Sequence, residues 1–320
     1  MTIDHHEHEV LVRVMTRRAV ADGVVALELG PVDGVGLPPW TPGAHIDLEL
    51  EPGLVRQYSL SGVPDDATTW RIGVLLEPAG RGGSSHVHDR LMPGSEVRTR
   101  GPRNHFELRP AAHYVFVAGG IGITPILPMV HAAQARGATW ELHYGGRSRS
   151  SMAFVEELGT VPGGRVEIHP QDERGLLDLP TILGEPRADT LIYCCGPEPL
   201  LLAVEAASAG WPTGSLQVER FAPKVVDAPA STDSFEVELT ESGITVTVGP
   251  EETILEVVRS AGVEAWSSCE EGTCGTCETV VLDGTPDHRD SVLSAEEQAS
   301  NESMMICVSR SACPKLVLEL

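Results

Sequence analysis

The chain has 320 residues, enough for two or three compact domains, and 41% of it is apolar, enough for their cores. No apolar run approaches the roughly 20 residues that cross a bilayer, and the opening MTIDHHEHEV lacks a basic patch followed by an apolar stretch, so neither a membrane span nor a signal peptide is expected and the chain reads as cytoplasmic. Its 23 basic and 46 acidic side chains give a formal charge of -23, which argues against nucleic acid and anionic membrane as partners and leaves room for a partner with a basic face.

The first hundred residues carry short stretches with alternating or β-branched apolar positions: LVRVMTRRAV, VVALELG, AHIDLEL, VRQYSL, WRIGVLL and EVRTRG. Turns rich in Gly, Pro and Asp, such as LGPVDGVG and LEPGL, separate them. Short strands at this spacing predict a β-barrel or sandwich over residues 1–110. Beyond Ala112 the pattern changes. YVFVAGG is a continuous apolar run entering glycines, and ILPMVHAAQARG has a helical period and ends on glycine. TWELHYGG, RVEIHP and TLIYCCG are further strands, with SMAFVEELG and PLLLAVEAASAG as helices. Strands alternating with helices predict a parallel sheet covered on both faces, an α/β domain over residues 111–223.

APKVVDAPAST, with its two prolines and small residues, reads as an interdomain linker over residues 224–234. In residues 235–320, FEVELTESGITVTV predicts a hairpin and TILEVVRSAG a short helix capped by Thr253. A cysteine loop follows, and MMICVSR and KLVLEL supply closing strands. HHEHE at the start reads as a frayed terminus sooner than a metal site. From Phe235 to Leu320 there are 17 acidic side chains against 4 basic ones, either a solubilising surface or a docking face.

Seven cysteines in a cytoplasmic chain suggest metal or redox chemistry sooner than disulfides. Cys269, Cys274 and Cys277 form C-x4-C-x2-C, and Cys307 follows after 29 residues. Thiolates are soft ligands that suit iron–sulfur or zinc, but structural zinc sites usually use tight cysteine knuckles. The x4 and x2 spacing with a distant fourth cysteine is the plant-type [2Fe–2S] arrangement. Gly272 and Gly275 inside the loop let the chain wrap a cluster and aim backbone N–H groups at its sulfurs. Cys194, Cys195 and Cys313 read as small buried residues.

In VFVAGGIGITPIL a strand runs into Gly119, Gly120 and Gly122 and a helix follows, so free N–H groups would face a phosphate. Position 125 is proline, so this is not the full dinucleotide fingerprint. Arg147 and Arg149 stand where they could meet phosphate or simply face solvent. RQYSL presents Arg56, Tyr58 and Ser59 on one strand, a cation, a ring and a hydroxyl suited to an anionic planar cofactor, although such a strand also suits a plain barrel wall. RGGSS offers Gly82, Gly83, Ser84 and Ser85 as phosphate donors.

In combination and order, these motifs make the chain resemble the phthalate dioxygenase reductase family, which includes vanillate demethylase reductases. The resemblance covers nearly the whole chain. It implies an antiparallel flavin barrel, a parallel-sheet nucleotide domain and an α+β ferredoxin domain of β-grasp type. Its implied cofactors are FMN, NADH and a [2Fe–2S] cluster, and its implied partner is a Rieske-type terminal oxygenase or O-demethylase. By the same resemblance Arg56, Tyr58 and Ser59 match the flavin strand, and Gly82, Gly83 and Ser84 the FMN phosphate loop. Asn104 and Phe106 match the turn closing that domain. Thr124 and Pro125 lie near the nicotinamide, with Cys195, Gly196 and Pro197 on its other side, and Phe221 is the aromatic near the flavin. Cys269, Cys274, Cys277 and Cys307 hold the cluster. HPQDERG departs from relatives where they tend to carry an aromatic and paired acidic residues, so NADPH through Arg147 or Arg149 stays open beside NADH.

The chemistry expected is NADH oxidation with single electrons delivered to an external acceptor, a task that needs no general base. A cytochrome P450 or other monooxygenase is the alternative acceptor. A non-enzymatic ferredoxin fusion would make both RQYSL and GGIGITP coincidental, and a cysteine-ligated zinc adaptor fits less well still.

Overall fold

The structure, a computed structural model, describes residues 8–224 and 233–320. Most of HHEHE and of the expected linker APKVVDAPAST lies outside the described residues. Contacts group the described chain into two units, one ending at Glu219 and the other running from Arg220 to Leu320.

The first unit begins with six antiparallel strands: β1 (Glu9–Ala21), β2 (Val24–Pro31), β3 (His45–Glu51), β4 (Leu54–Ser59), β5 (Trp70–Leu75) and, after helix α1 (Gly83–Arg90), β6 (Glu96–Arg103). Their order is β4-β3-β6-β1-β2-β5, and a Leu60–Ile72 bridge draws the two edges together, closing the sheet into a barrel. Period-two alternation fills the interior with Leu27, Leu29, Ile46, Leu48, Trp70 and Ile72. Helix α1 falls where the sequence suggested only a glycine-rich loop. Gly82, at a φ of 80°, turns the chain into it, and Val87 anchors it in the barrel core.

Five parallel strands follow: β7 (His113–Gly119), then after α2 (Ile123–Ala135) β8 (Thr139–Gly146), after α3 (Val155–Leu158) β9 (Arg165–Pro170), after α4 (Gln171–Arg174) and α5 (Leu179–Leu183) β10 (Thr190–Cys195), and after α6 (Glu198–Ala207) β11 (Leu216–Glu219). The order β11-β10-β7-β8-β9 puts β7 at the centre with the chain winding outward on both sides, so the crevice that binds ligands in such sheets opens beside the carboxyl end of β7. Helix α2 is almost wholly buried, and one core joins it to Val24 and Ala26 of the barrel and to Phe116, Trp140 and Tyr144 of the sheet. SMAFVEELG is helical only over Val155–Leu158, because Phe154 adopts a φ of 60° and a 3-10 turn occupies Arg149–Ser151.

The second unit contains β12 (Phe235–Leu239), β13 (Ile244–Val248), α7 (Ile254–Ser260), β14 (Glu278–Asp283), β15 (Pro286–Asp287), α8 (Ala295–Ser300), β16 (Ser303–Met305), β17 (Arg310–Ser311) and β18 (Lys315–Leu318). Its mixed sheet, β13-β12-β18-β14-β16, pairs β12 with β18 in parallel and packs α7 through Ile254, Leu255 and Val258, a β-grasp. Thr253 caps α7 as the sequence predicts, in a reciprocal pair with Glu256. MMICVSR is not one strand. Ser309 N–H returns to the Met305 carbonyl in a turn, which breaks the ladder at Cys307.

Candidate redox-cofactor sites

The four cysteines gather in the second unit. Cys269, Cys274, Cys277 and Cys307 are all nearly fully buried. The Cys269 thiol interacts with those of Cys274 and Cys307, and the Cys307 thiol also with that of Cys277. The backbone N–H groups of Glu271 and Thr273 donate to the Cys269 sulfur at 3.3 and 3.4 Å, and that of Cys269 donates to Cys274 at 3.5 Å. Hydrogen bonds from Cys274 and Cys307 hold the Cys269 thiol well below its ordinary value. Among the described residues no three His, Cys, Asp or Glu side chains close around a single ion. The fit to a two-iron cluster rests instead on four buried soft donors ringed by backbone N–H groups. Gly272, at a φ of 69°, shapes the loop, because a Cβ there would lie 2.6 Å from Val308 Cγ2 and 3.1 Å from Asp290 Cα.

The barrel holds a second constellation. Arg56 and Tyr58, two apart on β4, share a face, and burial pushes the Tyr58 phenol up to about 12 against the pull of Arg56. The Arg56 guanidinium donates to the Arg81 carbonyl at 2.7 Å, and its side chain fills the space a Cβ on Gly83 would need, 2.4 Å from Arg56 Cγ. Helix α1 therefore starts beside a cation, with no side-chain cap and no acidic residue in its first turn. Its opening N–H groups are suited to a phosphate, and the residues fit the terminal phosphate of a flavin nucleotide. Ser84 Oγ accepts from the Glu77 N–H at 2.9 Å and braces this turn, and Ser59 is buried at the end of β4. Asn104 and Phe106 form a closing turn in which Phe106 N–H donates to Asn104 Oδ1 at 2.9 Å.

The third constellation lies at the crevice beside β7. A Cβ on Gly122 would sit 2.3 Å from the Cys195 carbonyl oxygen, and one on Gly119 would sit 2.7 Å from Pro197 Cδ. The two loops thus meet backbone to backbone, bringing Gly119, Gly122, Cys195, Gly196 and Pro197 together. Gly120, at a φ of 53°, faces open space. Thr124 is buried and donates to the Ile121 carbonyl at 2.9 Å, Pro125 follows it in the first turn of α2, and that turn carries no acidic residue. The glycine turn at a helix start, with open space beside Gly120, fits a pyridine-nucleotide pyrophosphate.

Phe221 belongs to the second unit and is 47% exposed. Arg147 is exposed just past the end of β8, whereas Arg149 is paired to Glu173 of α4 at 3.2 Å. Cys194 and Cys195 are buried as expected, but Cys313 is only half-buried. The sequence reading missed Glu219, which faces Cys195 with its carboxylate oxygen 3.8 Å from the sulfur. Burial pushes the Glu219 carboxyl up to about 8, although the residue as a whole is only half-buried, and burial beside Glu219 pushes the Cys195 thiol well up. It also missed Gly73, whose Cβ would lie 2.8 Å from Thr124 Cγ2. Neither carries a local motif, so only pairing across strands brings them to the site.

Residues 237–312 match the 2Fe-2S iron-sulfur cluster binding domain family. The phenoxybenzoate dioxygenase subunit beta of Ectopseudomonas oleovorans is 44% identical over 94% of each chain. The solved structure of phthalate dioxygenase reductase, described as modular electron transfer from pyridine nucleotides to [2Fe-2S], is 33% identical over 98% of each chain with a TM-score of 0.70. The chain belongs to the phthalate dioxygenase reductase family. It is an NAD(P)H-dependent flavin and iron–sulfur oxidoreductase that binds a flavin, a pyridine nucleotide and a [2Fe–2S] cluster. An intact type IV self-sufficient cytochrome P450 monooxygenase is also similar, 44% identical with a TM-score of 0.91, but the match covers 98% of this chain and only 41% of that one.

Proposed function

We propose that this member of the phthalate dioxygenase reductase family passes electrons to an aromatic-ring oxygenase or O-demethylase of Rieske type, using NADH, FMN and the [2Fe–2S] cluster. The observation that carries the reading is the likeness to proteins of aromatic oxygenase systems, 44% identity over 94% of each chain to the phenoxybenzoate dioxygenase subunit and 33% identity over 98% of each chain to phthalate dioxygenase reductase. The close likeness to part of a self-sufficient P450 favours a second reading, a P450 as acceptor.

When bound, the flavin takes an electron pair delivered as hydride and the cluster passes electrons on singly. The protein's share is positioning and charge. Arg56, with the N–H groups of Gly82, Gly83 and Ser84, binds the FMN phosphate, while Tyr58 and Ser59 flank the ring. Gly119, Gly120 and Gly122 receive the NADH pyrophosphate. Thr124, Pro125, Cys195, Gly196 and Pro197 bound the nicotinamide. Cys269, Cys274, Cys277 and Cys307 ligate the cluster. NADH as the donor rests on the likeness to the family, and the exposed Arg147 is the cation through which NADPH would be accepted instead.

Reconstitution with purified Rieske-type and P450 oxygenases tests the reading. Coupled NADH consumption and product formation is expected with the Rieske-type partner, weakening steeply as ionic strength rises because the ferredoxin unit is acidic. Coupling to the P450 alone would transfer the assignment to the second reading.

A further inference from the structure

On β5 every second side chain faces the nucleotide sheet: Arg71, Gly73 and Leu75. Leu75 packs against the core shared with α2. At Gly73 the Thr124 methyl and the Phe154 ring take the space of a side chain, 2.8 and 3.3 Å from where a Cβ would stand. The Arg71 guanidinium makes a two-pronged pair with Glu157, both contacts at 2.9 Å, and lies 5.0 Å over the Phe154 ring. Its Nε also donates to the Ser61 carbonyl at 3.2 Å, two residues beyond Ser59. His131 of α2 stands 3.7 Å from the same Glu157 oxygen that Arg71 holds.

These contacts are more than a surface ion pair. The Arg71 side chain is only 15% exposed, and the planar fork that meets Glu157 also stacks on a ring, which a point charge would not do. Burial alone would push the Glu157 carboxyl up, but the nearby His131 and the hydrogen bonds and charge of Arg71 bring it down to about 2. Phe154 holds a φ of 60°, which a bulky residue adopts only where its surroundings over-determine it. The side-chain-free position at 73 and the left-handed Phe154 serve one end, the close approach of the Thr124 turn to the barrel wall.

We infer that Arg71 is a positioning residue for hydride transfer: by clamping Ser61 of the barrel to Glu157 and Phe154, it sets how closely the Thr124 loop stands against the flavin barrel. The inference rests on the assignment of Thr124 to the nicotinamide side of the site. Hydride transfer is steeply sensitive to approach, so a small loosening lowers the rate of the step while leaving the binding contacts of both nucleotides in place.

The test uses the full, cofactor-loaded protein and compares wild type, R71A, E157Q and the exchange R71E/E157R in single-turnover flavin bleaching by NADH. R71A is expected to bleach about tenfold slower at saturating NADH, with the half-saturating NADH concentration moved by less than about threefold and a larger primary isotope effect with deuterated NADH. E157Q, which keeps the shape of the side chain, is expected to slow in the same sense, and R71E/E157R to recover most of the rate. Amide hydrogen exchange before NADH is added is expected to quicken at residues 71–75 and 155–158 in R71A, with flavin and iron content unchanged. Wild-type bleaching with R71A and E157Q equally fast would overturn the inference alone. A wild type that does not bleach with NADH would bring down the functional reading, and this inference with it.

Discussion

Cys195 and Glu219 are direct partners on the adjacent parallel strands β10 and β11, and the thiol lies 3.8 Å from the carboxylate oxygen. Burial moves the Glu219 carboxyl from 4.5 to about 8, so the folded chain keeps a proton that an unfolded chain releases. The stability this provides is fully present below the unfolded value and is lost as pH rises through about 8. Urea midpoints are expected to fall between about pH 4.5 and about pH 8 and to level off above that, with a shallower fall in E219Q. Identical slopes for the two proteins would remove Glu219 as the source.

The same burial predicts which thiols react. Cys195 is pushed well above its ordinary value and Cys194 is fully buried beside it, whereas Cys313 is half-buried and lowered, with hydrogen bonds from Ser311 and the Thr285 N–H outweighing its desolvation. Brief alkylation of the native protein followed by peptide mass mapping should mark Cys313 first. Early labelling of Cys195 would contradict its placement in the crevice.

Gly272→Ala tests the cluster loop. The added Cβ would collide with Val308 Cγ2 at 2.6 Å in a backbone at a φ of 69°, a cost of about 1–3 kcal/mol from strain alone. Gly262→Ala is the control, because its φ of 85° is also left-handed but nothing stands within 4 Å. Iron content should drop in the first variant with flavin retained, while the second should lose only stability. Equal iron in both would show that the contact with Val308 does not shape the loop.

Gly83→Ala tests the flavin cradle. Alanine suits a helix start, so its backbone effect is favourable, but the Cβ would press on Arg56 Cγ at 2.4 Å. The expected result is protein with normal iron and several-fold less bound flavin. Full flavin occupancy would mean that Arg56 moves without consequence for the phosphate.

Much of the architecture was legible because its signals are local. The period-two runs of the barrel, the alternation of strands and helices and the x4 and x2 cysteine spacing each span a few residues. Their period or spacing reports on geometry directly. Helix α1 was hidden because GSSHVHDR has one apolar anchor, Val87, and so no readable helical period. SMAFVEELG looked helical because propensity cannot foresee the left-handed turn at Phe154, whose ring packs where Gly73 leaves room in the barrel wall.

By itself the sequence picked out the four clustered cysteines, the glycine turns and the order of the barrel, parallel-sheet and ferredoxin parts, since all three depend on what a short stretch of backbone can do. The tertiary structure alone decided that Glu219 faces Cys195, that Arg71 reaches Glu157, that Arg56 takes the space left by Gly83 and that Glu173 occupies Arg149. Those contacts join residues far apart in the chain. Strand register, the missing Cβ atoms and the packing of α2 between sheet and barrel bring them within reach, and no local pattern encodes that arrangement.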